Sequence, residues 1–442
     1  MTAGAGGRKG KGGAILATVA LVCVVPQAGF AADVDPRAAL KAALVEQNRG
    51  ELAHDPSVVA EKLRKMARGS FDFYRGAIGL YPEPPSTFLG GPQVALIGDP
   101  HPENVGTFAP GDGQIIVDFN DFDRAHFGPF VEDVRRLALG VALAAGGSAR
   151  RKKTERHLVE AVVDGYVAEI GRVNRKEGVF GLRADTAFGG KLASILDHPS
   201  PAFSDKESLV GRDELAKLGD ALEVARGSLV DGKRFAAGFF SVKRAAHAHR
   251  GVASFAVDRI RIEVEGPSPA PDDDVAIELK ETPAAKIAEI IRLERALKER
   301  ADEDPLLGPV RVGDKSYRMR SFGPSRRRIS VERLAAALGV SEKAKAREPE
   351  QAPAAEWKKK DLKLFAEELG RLLGRAHARA PGMDGKPVSE ALARAVRDGE
   401  ALKDETVAAT KAAVRIIERD VAVLHKLVRD REPSLGFAPA AR

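Results

Sequence analysis

Residues 94–139 read VALIGDPHPENVGTFAPGDGQIIVDFNDFDRAHFGPFVEDVRRLAL. An apolar run, Val94 to Ile97, stops at Gly98, the pattern of a buried strand feeding a loop. In the following Asp99-Pro100-His101-Pro102-Glu103-Asn104, two prolines exclude helix and hold the polar side chains on an extended turn. A second apolar run, Ile115 to Val117, ends at Asp118-Phe119-Asn120-Asp121-Phe122-Asp123. Two strands thus each deliver carboxylates at their ends, which makes this stretch the candidate seat of chemistry. Glu132 to Ala145 then reads as an amphipathic helix, with Val134, Leu137, Ala138, Val141 and Ala142 on one stripe.

Outward from this stretch, a chain of 442 residues is too long for one small core and points to two lobes. A hydrophobic content of 44% with 30% charged residues is that of an ordinary soluble protein. The formal charge of +7 sets 70 Lys and Arg against 63 Asp and Glu, so the chain is only mildly basic. Its basic clusters, Arg326–Arg328 and Lys358–Lys360, have no aromatic residues interleaved, which argues against a nucleic-acid partner. At the N-terminus, Arg8, Lys9 and Lys11 precede the apolar run Ala14 to Val25 and the small residues up to Ala32. That is the pattern of a secretory signal peptide over residues 1–32, hence of an exported protein, periplasmic or extracellular, the alternative on the same pattern being a retained N-terminal anchor. The run is short for a membrane span, and no other segment reads as one. Cys23, the one cysteine, lies inside the run, so the mature chain has neither disulfides nor thiol chemistry.

Helical spacing dominates 33–250: Asp35 to about Arg68, the helix after Glu132, and a second from about Thr154 to Val173. Segment 174–250 mixes short helices with glycine turns. The character changes at Gly251. Val252 to Val264 and Val275 to Glu281 read as strands joined by a Pro- and Asp-rich connection, Pro283 to Arg300 as a helix, and Val310 to Ser321 as a hairpin. Residues 251–342 therefore form a β-rich small lobe. A charged, Pro/Ala-rich linker (343–358) leads to 359–442, where two helices, Leu362 to Ala380 and Asp404 to Asp430, complete the large lobe. The class is α+β.

Phosphoryl transfer needs a carboxylate to orient the attacking hydroxyl and oxygen ligands for Mg²⁺. Kinase catalytic loops supply these as Asp, four residues, Asn, followed one hairpin later by a metal-binding Asp. Asp99, Asn104 and Asp118 reproduce that spacing. Asp99 becomes the base-like residue, with His101 beside it and Arg75 available for a phosphate, for the 118–123 loop or, equally, for a structural ion pair. Asn104, Asp118 and Asp121 become the metal ligands. The competing reading of Asp99 and Asn104 is turn capping.

The segments FYRG (from Phe73), GDPHPENVGTF and VDFNDFDRAHFGPFVEDVRRLA resemble the bacterial family known as domain of unknown function 2252. They are also similar to the G-D-x-H-x-x-N and I-D-F segments of aminoglycoside and choline phosphotransferases, relatives of protein kinases. The resemblance implies a kinase-like two-lobed fold, ATP and Mg²⁺ as cofactors, and a small-molecule or peptide acceptor. It also implies that Asp133 ties down backbone N–H groups of the loop. His377, in a weaker matching segment, either lines the cleft or is a buried structural histidine. Two departures stand out. The only candidate for the strand lysine, Lys280, follows the catalytic loop instead of preceding it, so the small lobe is permuted or inserted. In place of a glycine-rich phosphate turn the chain has Gly251-Val-Ala-Ser254-Phe255, whose lone glycine offers few N–H groups. With Lys280 and Ser254 on the nucleotide side, Glu289 is the expected ion-pair partner of the lysine. Three functions compete: a Mg-nucleotide phosphotransferase, a metal-dependent phosphoester hydrolase, and a non-catalytic kinase-shaped binding protein. The hydrolase needs a downstream His cluster, and among 9 histidines only His247 and His249 are so spaced.

Overall fold

A computed structural model describes residues 35–438, apart from 82–83, 110–113, 147–151, 178–180, 200–202, 204–207, 230–231, 233–234, 236–237, 249–256, 267, 269, 271–272, 301–303, 324 and 340–356. The signal segment, Ser254 with its single-glycine turn, and nearly all of the 343–358 linker therefore lie outside the described residues. Helices and strands are both well represented, as the α+β class requires.

The helical N-terminal stretch is broken rather than continuous. Helices α1 (Pro36–Gln47) and α2 (Arg49–His54) part at Asn48, whose side-chain amide turns back to donate to Leu44 O at 2.7 Å. Asp55 then caps α3 (Pro56–Met66) by accepting from Ser57 N at 3.0 Å, and Pro56 supplies a first helical residue with no N–H to satisfy. A short α4 (Ser70–Gly76) carries Tyr74 and Arg75 toward the centre. There, β1 (Gln93–Leu96), β2 (Val105–Phe108), β3 (Ile116–Phe119) and β4 (His126–Pro129) form two antiparallel pairs, β1 with β4 and β2 with β3. Both acidic loops, 98–104 and 120–125, leave from the ends of these pairs.

Behind them stand α5 (Phe130–Ala144), α6 (Lys152–Asn174) and, from the far end of the chain, α12 (Lys359–Arg379). The α6 and α12 backbones come close because the crossing is glycine-lined. A Cβ at Gly165 would lie 2.0 Å from Glu367 O, and one at Gly370 would lie 2.0 Å from Val162 O. Helices α7 (Ala187–Gly190), α8 (Leu192–Ile195), α11 (Val331–Ala337), α13 (Ser389–Ala395) and the long α14 (Gly399–Arg429) complete this lobe around one hydrophobic core. No described helix is long and apolar enough to cross a membrane.

The β-rich lobe is a six-stranded antiparallel sheet in the order β5-β6-β7-β8-β10-β9. Its strands are β5 (Ser208–Leu209), β6 (Val242–His247), β7 (Arg259–Val264), β8 (Val275–Glu281), β9 (Gly308–Val312) and β10 (Lys315–Phe322). The sheet thus starts well before Gly251, which corrects the expected boundary. Strand β6 reads VKRAAH and gives no period-2 signal, yet its pairing onto β7 makes it part of the sheet. One face, with Ile260, Ile262, Ile277, Leu279 and Met319, packs on Leu218 and Leu222 of α9 (Arg212–Arg226) as a second core. The other face carries charge. Helix α10 (Ala284–Leu297) returns to the large lobe, where Leu293 and Leu297 join the first core.

Candidate functional site

Between the lobes, the second face of the sheet meets the 120–125 loop. Period-2 alternation puts Arg259 and Arg261 of β7, Glu278 and Lys280 of β8, and Arg318 and Arg320 of β10 on that face. Register aligns Lys280 with Arg259 on one side and Arg318 on the other. All of these side chains are buried or nearly so. Charge that deep in a protein must be answered by charge. Glu278 accepts from Arg320 Nη2 at 2.5 Å and from Arg259 Nη1 at 3.2 Å. Burial pushes the Glu278 carboxyl up, but Arg320 and Arg259 outweigh it and hold it at about 2.

Lys280 and Arg318 find their anions on the other lobe. The Lys280 ammonium lies 3.3 Å from Asp121 Oδ2 and in contact with the Asp123 carboxylate. Arg318 donates through Nη2 to Asp123 Oδ1 at 2.7 Å and through Nη1 to Glu294 Oε2 of α10 at 2.6 Å. Burial lowers the Lys280 ammonium to about 8, opposed by Asp121 and reinforced by Arg318. Asp121 shows the reverse balance: desolvation raises it, but Lys280 and Arg318 win and leave it well below the usual carboxylate range.

The 98–104 loop is held separately. Gly98 adopts φ +81°, and a Cβ there would lie 2.1 Å from Arg124 O, so the turn into Asp99 has room only for glycine. Asp133 of α5 accepts from Ile97 N at 2.7 Å and from Gly98 N at 3.1 Å, so it does tie down the loop backbone. Its carboxylate also accepts from His377 Nε2 at 3.1 Å, and His377 Nδ1 lies 3.0 Å from Tyr166 OH. His377 is completely buried in this chain of three helices and does not line the cleft. Asp133→Ala would strip the acceptor from two backbone N–H groups and a buried imidazole. The expected loss is about 3 kcal/mol, measured by denaturant unfolding; a loss below about 1 kcal/mol would contradict this anchoring.

Asp99 itself is gripped by Arg136, whose Nε and Nη2 reach Oδ1 at 2.9 and 2.8 Å. The Arg136 guanidinium stacks 3.5 Å from the centre of the Tyr74 ring. Burial raises the Asp99 carboxyl despite Arg136 and Arg75. His101 Nε2 lies 3.7 Å from Asp99 Oδ2, and burial, helped by Arg75 and Arg136, drives the imidazole well below its usual pKa. A neutral His101 beside a basic-leaning Asp99 is an arrangement suited to proton transfer.

The other residues singled out from the sequence sit as follows. Arg75 pairs with Glu103 at 2.5 Å instead of reaching the 118–123 loop. Glu289 is on the exposed side of α10 and is not the partner of Lys280; the buried acid of that helix is Glu294. Asp118 turns inward: Oδ1 accepts from Phe119 N at 2.7 Å and Oδ2 from Glu299 N at 2.5 Å. Asn104 donates to Asp99 O at 3.1 Å and to Asp121 O at 2.8 Å, joining the two acidic loops, while its buried Oδ1 has no hydrogen-bond partner. Of the three expected metal ligands, Asn104 therefore offers an unengaged oxygen, Asp118 is taken by backbone, and Asp121 is answered by Lys280. Among the described residues, no three of His, Cys, Asp or Glu gather as a metal site. The residues as arranged do not fit a Mg²⁺ centre.

Sequence reasoning missed Arg136, Arg318, Arg320, Glu278 and Glu294. Arg136 sat in the D-x-x-R pattern with Asp133. The alternation R-I-R-I in β7, E-L-K in β8 and R-M-R in β10 carried the charged face, but such alternation ordinarily marks a solvent side.

Residues 54–183 match the family model described as "Uncharacterized protein conserved in bacteria (DUF2252)". Searches of curated proteins and of solved structures found no match. The matched stretch contains Arg75, Asp99, His101, Asn104, Asp118 and Asp121, while the cations of the sheet lie outside it.

Proposed function

We propose that the protein is a kinase-like phosphotransferase acting on a small-molecule or peptide acceptor, with ATP as donor. The carrying observation is the buried cationic face of the sheet, Lys280 and Arg318 foremost, set against a loop cluster that holds Asp99. Cations inside a low-dielectric cleft are what a polyphosphate needs for binding and for charge stabilisation during transfer. In this reading Asp99 takes the proton of the acceptor hydroxyl. The hydroxyl oxygen forms its bond to the terminal phosphorus as the bond to the nucleoside diphosphate breaks, and Lys280 and Arg318 steady the charge on the leaving group.

Strand β10 adds a direction. Arg318, Arg320 and Phe322 share one face, so Phe322 lies about 13 Å from Arg318 along the strand. Phe322 lines a cavity of about 310 Å³ together with Phe108, Phe235, Phe239 and Arg326. A mainly apolar cavity with a few polar groups suits one end of a small ligand. No step of this proposal runs through Mg²⁺, because Asp118 is engaged by backbone N–H groups and Asp121 by Lys280.

Asp99→Asn is the direct test. ATP binding should persist and turnover should fall by about 10²-fold or more, the scale of a lost general base. In the unmodified protein, turnover should decline with acid as the raised Asp99 carboxyl protonates. ATP binding with no transfer to any acceptor in a broad screen would instead favour the non-catalytic binding protein. The engaged oxygens of Asp118 are the observation on that side.

A further inference from the structure

The ion pairs between the lobes are asymmetric. Lys280 and Arg318 are almost wholly enclosed, with side-chain exposures of 1% and 0%, whereas Asp121 and Asp123 are 41% and 32% exposed. The anions lie on the solvent side of the cations, where a ligand would arrive. Their loop is anchored independently of those carboxylates. Asn120 O accepts from Arg320 Nη1 at 2.9 Å, Asp121 O accepts from Asn104 Nδ2 at 2.8 Å, and the Phe122 ring is buried in the large-lobe core. Rotation of two side chains would therefore clear the cations without unfolding the loop. Arg318 would keep Glu294, fully buried on its other nitrogen, as a permanent partner. The side chains in contact with the two carboxylates are cationic, Lys280 and Arg318; Arg320, Arg259, Arg124 and His101 act on Asp121 from farther off, and Asp121 Oδ1 also accepts from Asp123 N at 3.3 Å.

We propose that Asp121 and Asp123 are a built-in anion mimic, occupying on Lys280 and Arg318 the seat that an incoming polyphosphate takes. The inference rests on the phosphotransferase reading of the same site and assigns the two aspartates a role opposite to metal ligation. They compete with phosphate instead of recruiting it. Occupied by its own carboxylates, the cleft is closed to weak anions such as chloride. A polyphosphate brings several charges at once and can displace both aspartates together.

The experiment is calorimetric titration of the full chain with inorganic tripolyphosphate, without divalent cations, in the unmodified protein and in Asp121→Asn/Asp123→Asn. Removing the competing carboxylates should tighten binding by about tenfold or more. Adding Lys280→Met to that background should abolish the gain. Equal affinity in the two proteins would overturn the mimic. So would binding that needs Mg²⁺ and is lost in the double variant, which makes the aspartates metal ligands but leaves the phosphotransferase reading standing. Absence of binding in both proteins, with Mg²⁺ or without, would overturn both. If the double variant does not fold, Asp123→Asn alone should still bind more tightly than the unmodified chain, by about threefold; no gain there overturns the mimic equally.

Discussion

Arg318→Ala is expected to cost the fold about 3–5 kcal/mol, the largest loss among single changes at the site. The guanidinium is fully enclosed and joins three elements: β10, α10 through Glu294 and the 120–125 loop through Asp123. Truncation leaves Glu294, itself 1% exposed, without its hydrogen-bonded cation, with the Lys298 ammonium at 3.5 Å and Arg295 and Arg326 acting from farther off. A buried ion pair is worth little against a well-packed apolar substitute, but breaking one by removing a single partner is expensive. Denaturant unfolding checks this, and a loss under about 1 kcal/mol would mean the cleft is wetter than its geometry implies. Replacing Arg318 and Glu294 together by Met and Leu should recover part of the loss, because Glu294 is then no longer stranded.

Lys280→Met should act on ligand binding far more than on the fold. Asp121 and Asp123 keep Arg318 and face solvent, so neither is stranded. ATP at about 100 times its dissociation constant stabilises a protein by about 2.7 kcal/mol, and the variant should lose that response. A pH comparison isolates the lysine itself. Burial holds its folded pKa at about 8 against 10.5 for an unperturbed lysine. Between those values the unfolded chain still binds the proton that the folded chain has released, so this group makes stability rise with pH across that window. The rise should be present in the unmodified protein and missing from Lys280→Met. An identical pH profile in both would contradict the assignment.

Much of the architecture was legible because local signals agreed with tertiary demands. Val275 to Glu281 alternated and formed β8 over those residues, and the apolar stripe after Gly128 became α5. The loop anchored by Asp133 was legible through its resemblance to known segments. What was hidden was hidden for physical reasons. Helix spacing over 35–68 could not show that Asn48 would satisfy its own chain and break the helix. Strand β6 forms by pairing with β7, a non-local cause that leaves little mark in its sequence. The charged face was the costliest omission. Arg259, Arg318 and Arg320 would ordinarily be placed in solvent, and only the approach of the 120–125 loop and α10 buries them. Glu289 and Glu294 differ in position on α10 by more than a turn, and spacing alone could not say which faces the sheet.

One measurement bears most directly on the central claim that the Lys280–Arg318 face receives phosphate. It is the melting temperature of the full chain titrated with ATP, with and without Mg²⁺, in parallel with Lys280→Met. A rise in the unmodified protein that disappears in the variant is the predicted result. No rise under either condition, or a rise that Lys280→Met leaves intact, would contradict it.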